Sequence, residues 1–559
     1  MLLGHYNVAK KPKPKTHKEK LKEKLVFSES TVFTSQYGSA NMTRPLVVAN
    51  GVVTQFTEGD GVVVPGVTSA SGDILLSPAN GSRVKLGPVS LPTTRITYSK
   101  TLAATGVGGT TYIVPAATIP SNQTIYVSVN GNDTTGDGTV NNPYATVGMA
   151  MVKTQYFFID ENATLTISIG DGRYIVDSQP QMRYSQSAHH LKVEGANKVV
   201  TNVTSVISSS GSAGNYSVVL QLSSTANSSL ISANDYVVIS NASSGTNPER
   251  LNGCFLVTAV PGANQITINS RNRVGVPSGA ISANCDCLKT ILSPGSSGGT
   301  MSVVPGSVLT IKDLVFTPNT TQDIGYAVII QGATSTAIIE GSVGCESLNN
   351  GVNVSTGGTL IINGVFACGD VMNSLLVGHG GGTVRSNSAN SIHINGGSGN
   401  GIHVCNGSLQ IESFTISGVA GHGIFASSGG AVSVNGGKIA FTVMSGIYAN
   451  GADIRVGSAG LICNSAGAGY SGIHLNASYL SSTAGASLIT CSNAQHGVNC
   501  NHSSMADITS INSSLNSNFG VYASYNSFMN RTGATLSGNS GGANSPNLTT
   551  LGNFESYIV

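Results

Sequence analysis

Tryptophan is absent, aromatic residues make up 6% of the chain, and charged residues only 9%. So few charges argue against a helical protein, whose solvated faces are usually laced with Glu, Lys and Arg. Disorder is excluded from the other side, because hydrophobic residues reach 40% and recur at strand spacing. No run approaches the 18 apolar residues of a membrane span. Met1-Leu2-Leu3 is too short for a secretion-signal core, and the Lys run follows it instead of preceding it. Synthesis and folding in a cytosol are therefore expected. The nine cysteines are odd in number and scattered, mostly within aliphatic segments, which suits buried free thiols and not a disulfide framework. Cys285-Asp286-Cys287 is the only close pair and lacks a second pair, so no metal or cofactor is expected.

What the chain has in quantity is glycine, 70 of 559 residues. Near-copies read Gly351-Val352-Asn353-Val354, Gly401-Ile402-His403-Val404, Gly423-Ile424-Phe425-Ala426 and Gly446-Ile447-Tyr448-Ala449. Gly472-Ile473-His474-Leu475, Gly497-Val498-Asn499-Cys500 and Gly520-Val521-Tyr522-Ala523 continue the series. The last six glycines lie 22, 23, 26, 25 and 23 residues apart, and Ser374-Leu375-Leu376-Val377 fills the double gap before Gly401. A period in the twenties built on short strands marks a solenoid. Aliphatic, variable, aliphatic is a strand that buries its first and third side chains, with the glycine expected to supply the bend into it. The fold class is all-β, a right-handed parallel β-helix.

The net charge of +2 hides an asymmetry: residues 1–26 hold eight Lys and two Glu, leaving 19 basic and 23 acidic residues elsewhere. The body has no basic patch of the size nucleic-acid binding needs. The cationic feature is an arm, residues 1–43, with Lys10, Lys11, Lys13, Lys15, Lys18, Lys20, Lys22 and Lys24. It reads either as a solvated tail or as a segment that orders on an acidic protein partner. Residues 44–119 form a β-rich connector, opening with two strands about Asn50-Gly51, a hairpin signal. Residues 120–200 hold the opening of the β-helix and its first coils. The repeat grammar lapses over 201–287, an inserted β subdomain, and resumes over 288–559.

Two motifs carry a resemblance. Tyr126-Val127-Ser128 leads through Gly131-Asn132-Asp133 and Gly136-Asp137-Gly138-Thr139 to Pro143-Tyr144-Ala145-Thr146, then to Gly172-Arg173-Tyr174. This resembles the start of pectin-lyase-like β-helices, a pattern frequent in bacteriophage tailspikes and tail fibres. Arg44-Pro45-Leu46-Val47, followed by Gly51, Gln55 and Gly59-Asp60, resembles a strand pair of phage tail and baseplate fibre proteins. The resemblance implies a short capping helix over Val147–Val152, a homotrimer, and attachment to a tail or baseplate protein by the N-terminus. It further implies a virion location after assembly in the host cytoplasm. Another fibre protein and host surface polysaccharide are further expected partners. The alternative within the same family is a capsule or lipopolysaccharide depolymerase.

A glycosidase needs two carboxylates about 5–10 Å apart, and coils stack about 4.8 Å apart. Between 301 and 545 the acids are Asp313, Asp323, Glu340, Glu346, Asp370, Glu412, Asp453 and Asp507. Their offsets within the coil do not coincide, so no catalytic residue within one chain is assigned. The variable residue two after the coil glycine is His403, Phe425, Tyr448, His474, Asn499 and Tyr522. Alternation points all six outward as one ladder, with His422 and His496 beside it. Three readings stand: a subunit interface, a sugar-stacking strip, or separate half-exposed rings.

Overall fold

A computed structural model describes the chain from residue 117 to 545, apart from short internal stretches, together with a few strands outside that span. The chain divides after Thr97. In the first unit the strands Pro45–Val48 and Val52–Gln55 form an antiparallel pair with Val48 opposite Val52. The residues between them, Ala49-Asn50-Gly51, lie outside the described residues. The basic arm lies outside the described residues, and nothing structural bears on Lys10 to Lys24.

The second unit contains a parallel β-solenoid of about fourteen turns. A regular coil has three strands, as in Ile402–Cys405, Ser408–Ile411 and Phe414–Ser417. The first of each set stacks into a twelve-stranded sheet, and the other two build a twenty-one-stranded sheet around the remaining sides. In places those two fuse into one bent strand, Ala431–Ala440 or Asp453–Asn464. Ser374-Leu375-Leu376-Val377 occupies the missing turn, pairing Val352 with Leu375 and Leu375 with Ile402. Inward side chains alternate as the sequence pattern requires: Ile402, Val404, Leu409, Ile411, Phe414 and Ile416 are all buried in one core that continues from coil to coil. Each such burial contributes roughly 1.5–3 kcal/mol.

The coil glycines do a different job from the one expected of them. None of Gly401, Gly423, Gly446, Gly472, Gly497 or Gly520 has the positive φ of a glycine-requiring bend. They stack instead. A Cβ at Gly401, Gly423, Gly446, Gly472 or Gly497 would sit 2.5–2.8 Å from the carbonyl oxygen of the next coil's glycine. Neighbouring coils approach too closely there for any side chain.

The helix Val147–Thr154 runs two residues beyond the expected span and places Val147, Ala150 and Met151 in the solenoid core. Its start explains the Asp of the upstream motif. Asp133 accepts hydrogen bonds from the Ala145 and Thr146 amides at 2.8 and 3.0 Å and from Thr146 Oγ1 at 2.6 Å. Thr146 Oγ1 in turn accepts the Met149 amide, an N-cap.

Where the coil grammar lapses, six antiparallel strands from Lys198–Ser212 to Gly279–Leu288 close into a barrel with its own core. Cys285 and Cys287, two residues apart on one strand, are both buried in that core, and burial pushes the Cys285 thiol up to about 12. The thiols are packing groups, as are the other buried cysteines. The barrel begins and ends side by side, Lys198 opposite Leu288. Thr290–Pro294 then resumes the solenoid between Gly172–Val176 and Val308–Phe316.

The barrel lies against the solenoid through Tyr236, Val238, Cys254 and Leu288, which pack on Ile291, Val315 and Ala367. The surface below them is cut to fit. A Cβ at Gly369 would meet the Cys254 carbonyl oxygen at 2.0 Å, and one at Gly344 would meet Cys254 Sγ at 2.6 Å. Further along, Asn395 Nδ2 donates to the carbonyls of Arg250 and Asn252. Asn272 Nδ2 donates to Ser417 Oγ at 3.1 Å, both residues being buried. Glu249, 4% exposed, pairs with Lys438 at 2.8 Å, and the Arg250 guanidinium stands 3.5 Å over the Phe441 ring.

Candidate functional site

The six ladder positions fall in one register on the twelve-stranded sheet. His403 lies opposite Phe425, Phe425 opposite Tyr448, Tyr448 opposite His474, His474 opposite Asn499 and Asn499 opposite Tyr522. The rings are not separate. Centroids are 4.8 Å apart for His403 and Phe425, 5.6 Å for Phe425 and Tyr448, and 5.0 Å for Tyr448 and His474. His422, from the turn before Gly423, adds a second layer, stacked on Tyr448 at 4.9 Å and on Phe425 at 5.7 Å. His496 does the same further on, against Tyr522 at 4.7 Å and Phe519 at 5.7 Å.

One rung departs from the expected outward series. Asn499 is buried, whereas the five ring-bearing rungs are half-buried. Its short side chain sits between the longer His474 and Tyr522, with His496 folded over the same strip, so the neighbours cover it. Burial holds both flanking imidazoles well below the ordinary histidine value, each at about 4; a backbone hydrogen bond with Ser445 opposes the shift at His422, and His474 adds a smaller downward push to both. Both are neutral rings near pH 7. His496 Nδ1 accepts the Phe519 amide, which only a neutral imidazole can do. Those two rings extend the stack without adding charge at neutral pH. Replacing Phe425 by Ser removes three ring contacts at once. Chemical denaturation should show a loss of about 1–3 kcal/mol; unchanged stability would mean that the stack contributes nothing to the coil.

Most of the described acids between 301 and 545 have partners of their own. Glu412 accepts from Asn435 and Asp507 from Asn530, each one coil on. Glu340 lies opposite Lys312, Asp370 lies 3.6 Å from Arg271 of the barrel, and Asp453 is exposed. Asp323 lies outside the described residues. Among the described residues no group of three His, Cys, Asp or Glu is placed to hold a metal ion.

Acids do meet where the barrel joins the solenoid, a place the coil offsets could not reveal. Lys198 Nζ contacts Asp286 at 3.4 Å and Asp313 at 3.0 Å, and Lys312 contacts Asp313 and Glu194. Lys192 closes the group on Glu194 at 2.7 Å. Three ammoniums face three carboxylates. Asp313 also accepts the Ser342 amide at 2.9 Å, and Ser342 Oγ bonds Asp286. Burial lowers the Lys198 pKa, but Asp286 and Asp313 outweigh it and the net shift is upward. Balanced and internally bonded, the group is a tether and not a poised acid–base pair.

A cleft of about 340 Å³ opens nearby, lined by Asp171, Arg173, Asn234, Asp235, Lys289 and Ile291. Asp235 is engaged by Lys289 at 2.5 Å and by the Ser232 amide, and Asp171 accepts from Asn197. Arg173 Nη1 donates to Ser293 Oγ and the Pro318 carbonyl.

No family model matches this chain, and no curated protein matches it. Among solved structures the chain is similar to XylC in complex with xylose, at 11% identity over 74% of this chain and 70% of that one, with a TM-score of 0.23. At that score the likeness bears on neither fold nor ligand.

Proposed function

We propose that this protein is a structural component of a virion, a phage tail-fibre or tailspike-like protein. Its N-terminal arm would attach to a tail or baseplate protein, and its β-helix would serve as a rigid shaft contributing to host adsorption. The observation that carries this reading is the unbroken coil-to-coil register from Gly299 to Ser545, in which each strand of the twelve-stranded sheet pairs with the next. A body held this way bends little, because each coil is fixed to both neighbours through backbone hydrogen bonds and a shared core. The two motifs about Arg44 and Tyr126 support the phage assignment. The engaged and dispersed carboxylates support a shaft over an enzyme. Homotrimerisation belongs to the same proposal.

Deleting residues 1–26 should leave a soluble, folded protein that no longer joins virions, as scored by immunoblot of purified particles. Normal incorporation would sink the docking role of the Lys arm. The cleft with Asp171, Arg173, Asp235 and Lys289 favours a second reading, a depolymerase of host surface polysaccharide. New reducing ends or unsaturated uronates after incubation with that polysaccharide would establish it over the first.

A further inference from the structure

Four of the nine cysteines, scattered in sequence, fall in one column of the folded coils. On the inner face of the twenty-one-stranded sheet the register runs Phe316, Cys345, Cys368, Ile394, each opposite the next. It continues through Ile416 and Ile439 to Cys463, Cys491 and Ser513. The cysteines thus stand as two adjacent pairs, Cys345 with Cys368 and Cys463 with Cys491, and aliphatic rungs separate the pairs. Each pair spans one junction between coils. All four are free thiols, at most 1% exposed, within the shared core of the solenoid.

The members of a pair act on each other directly. Burial, with a side-chain contact from Cys368 behind it, pushes the Cys345 thiol up; at Cys463 the contact with Cys491 comes first and burial second. Packing alone does not call for cysteine on successive coils, since Ile394, Ile416 and Ile439 fill the same column. Neighbouring parallel strands stand about 4.8 Å apart, within the Cα separation that a disulfide accepts. Closing the bond draws the two Cβ atoms together by about 0.5–1 Å.

We infer that Cys345–Cys368 and Cys463–Cys491 are coil-to-coil bridging sites, closed to disulfides when the chain folds with a small-molecule disulfide present and left as thiols when it folds without one. The step is thiol–disulfide exchange. One cysteine of the pair loses its proton and attacks a sulfur of the small disulfide, expelling a small thiolate that takes up a proton. The second cysteine then attacks the chain's sulfur in the mixed disulfide and expels the other small thiolate in the same way. In all, two protein thiols are oxidised by two electrons and the small disulfide is reduced to two thiols. The mixed disulfide has no room once the coils have closed. A Cβ at Gly446 would already lie 3.3 Å from Cys463 Sγ, and one at Gly472 3.0 Å from Cys491 Sγ. Each pair therefore takes its redox state during folding and keeps it afterwards. The inference goes beyond the proposed function and does not depend on it.

The test makes the full chain in cells with a reducing cytosol and in cells whose cytosol is thiol-oxidising. Both preparations are alkylated under denaturing conditions and mapped by mass spectrometry without reduction. Protein from the oxidising cells should carry both bridges and weigh about 4 Da less before alkylation, two hydrogens being lost per bridge. Its other cysteines should all be alkylated. Protein from the reducing cells should have every cysteine alkylated, and should still do so after the folded chain is held in oxidised glutathione. Absence of either bridge, or bridges that join other cysteines, overturns the inference. Bridging of the folded, reduced chain by oxidised glutathione overturns it too. A Cys345→Ser variant from the oxidising cells should keep Cys463–Cys491 and leave Cys368 alkylated. Capture of Cys368 by Cys254, the thiol that faces it from the barrel, would show that proximity and not the column selects the partner, and would likewise overturn it.

Discussion

Replacing Lys438 by Met should destabilise the barrel's seat on the solenoid by about 1–3 kcal/mol, less than a fully buried ion pair would cost because Glu249 is buried while Lys438 is half-buried. Glu249 is the member left behind, 4% exposed, with Lys438 Nζ at 2.8 Å. Glu249 belongs to a short helical turn, Pro248–Leu251, that the barrel lowers onto the coils. Limited proteolysis and thermal melting should therefore show the barrel opening earlier than the coils. The double variant Glu249→Gln, Lys438→Met removes both charges and should recover most of the loss, since a neutral pair has no stranded carboxylate. Equal destabilisation by the single and double variants would show that size and packing, not charge, hold the turn down.

The second large effect concerns acid. The unfolded chain binds a proton at each histidine with a pKa of about 6.5, whereas His422 and His496 in the folded chain bind theirs only at about 4. Between those values the unfolded state holds more protons, so stability rises with pH across this window. The contribution is complete above about pH 6.5, falls as the pH drops through the window, and is exhausted below about pH 4. After allowance for solvent screening, each ring is worth on the order of 1–2 kcal/mol between pH 7 and 4.5. Melting curves of the wild type at these two pH values should separate by several degrees more than those of a His422→Phe, His496→Phe variant, whose rings stay in the stack but do not titrate. Parallel shifts in the two proteins would assign the acid sensitivity to carboxylates elsewhere.

The solenoid was legible because its determinants are local. Gly401, Gly423, Gly446, Gly472, Gly497 and Gly520 mark one point on every coil, and the aliphatic residues that follow can pack only against the same residues of the next turn. Even the glycine-less turn at Ser374 could be placed by spacing. The role of those glycines was not legible, since a close approach between coils leaves the same trace in sequence as a bend. The ladder's register followed from alternation, but the burial of Asn499 depends on the size of His474, Tyr522 and His496, which no periodicity encodes. The barrel could be placed by the lapse of the repeat, yet its seat could not. Asn272 meets Ser417, and Asn395 meets Arg250, across well over a hundred residues in each case. For the same reason no spacing within the coils encodes the meeting of Asp286 with Asp313 through Lys198.

The adjacency of Lys198 and Leu288 gives the barrel the geometry of an exchangeable cassette. Its two ends leave the solenoid one strand spacing apart, so an insertion of any length could begin and end there without shifting the phase of a single coil. What limits exchange is the seat and not the junction. The groove cleared by Gly344 and Gly369, the amide of Asn395 and the ammonium of Lys438 together form a template along the side of the coils. A replacement module would have to present a matching underside, with a backbone edge near Gly369 and an acid above Lys438. Related chains that vary here should therefore change the module and this strip together, while the glycine column on the opposite strands stays as it is.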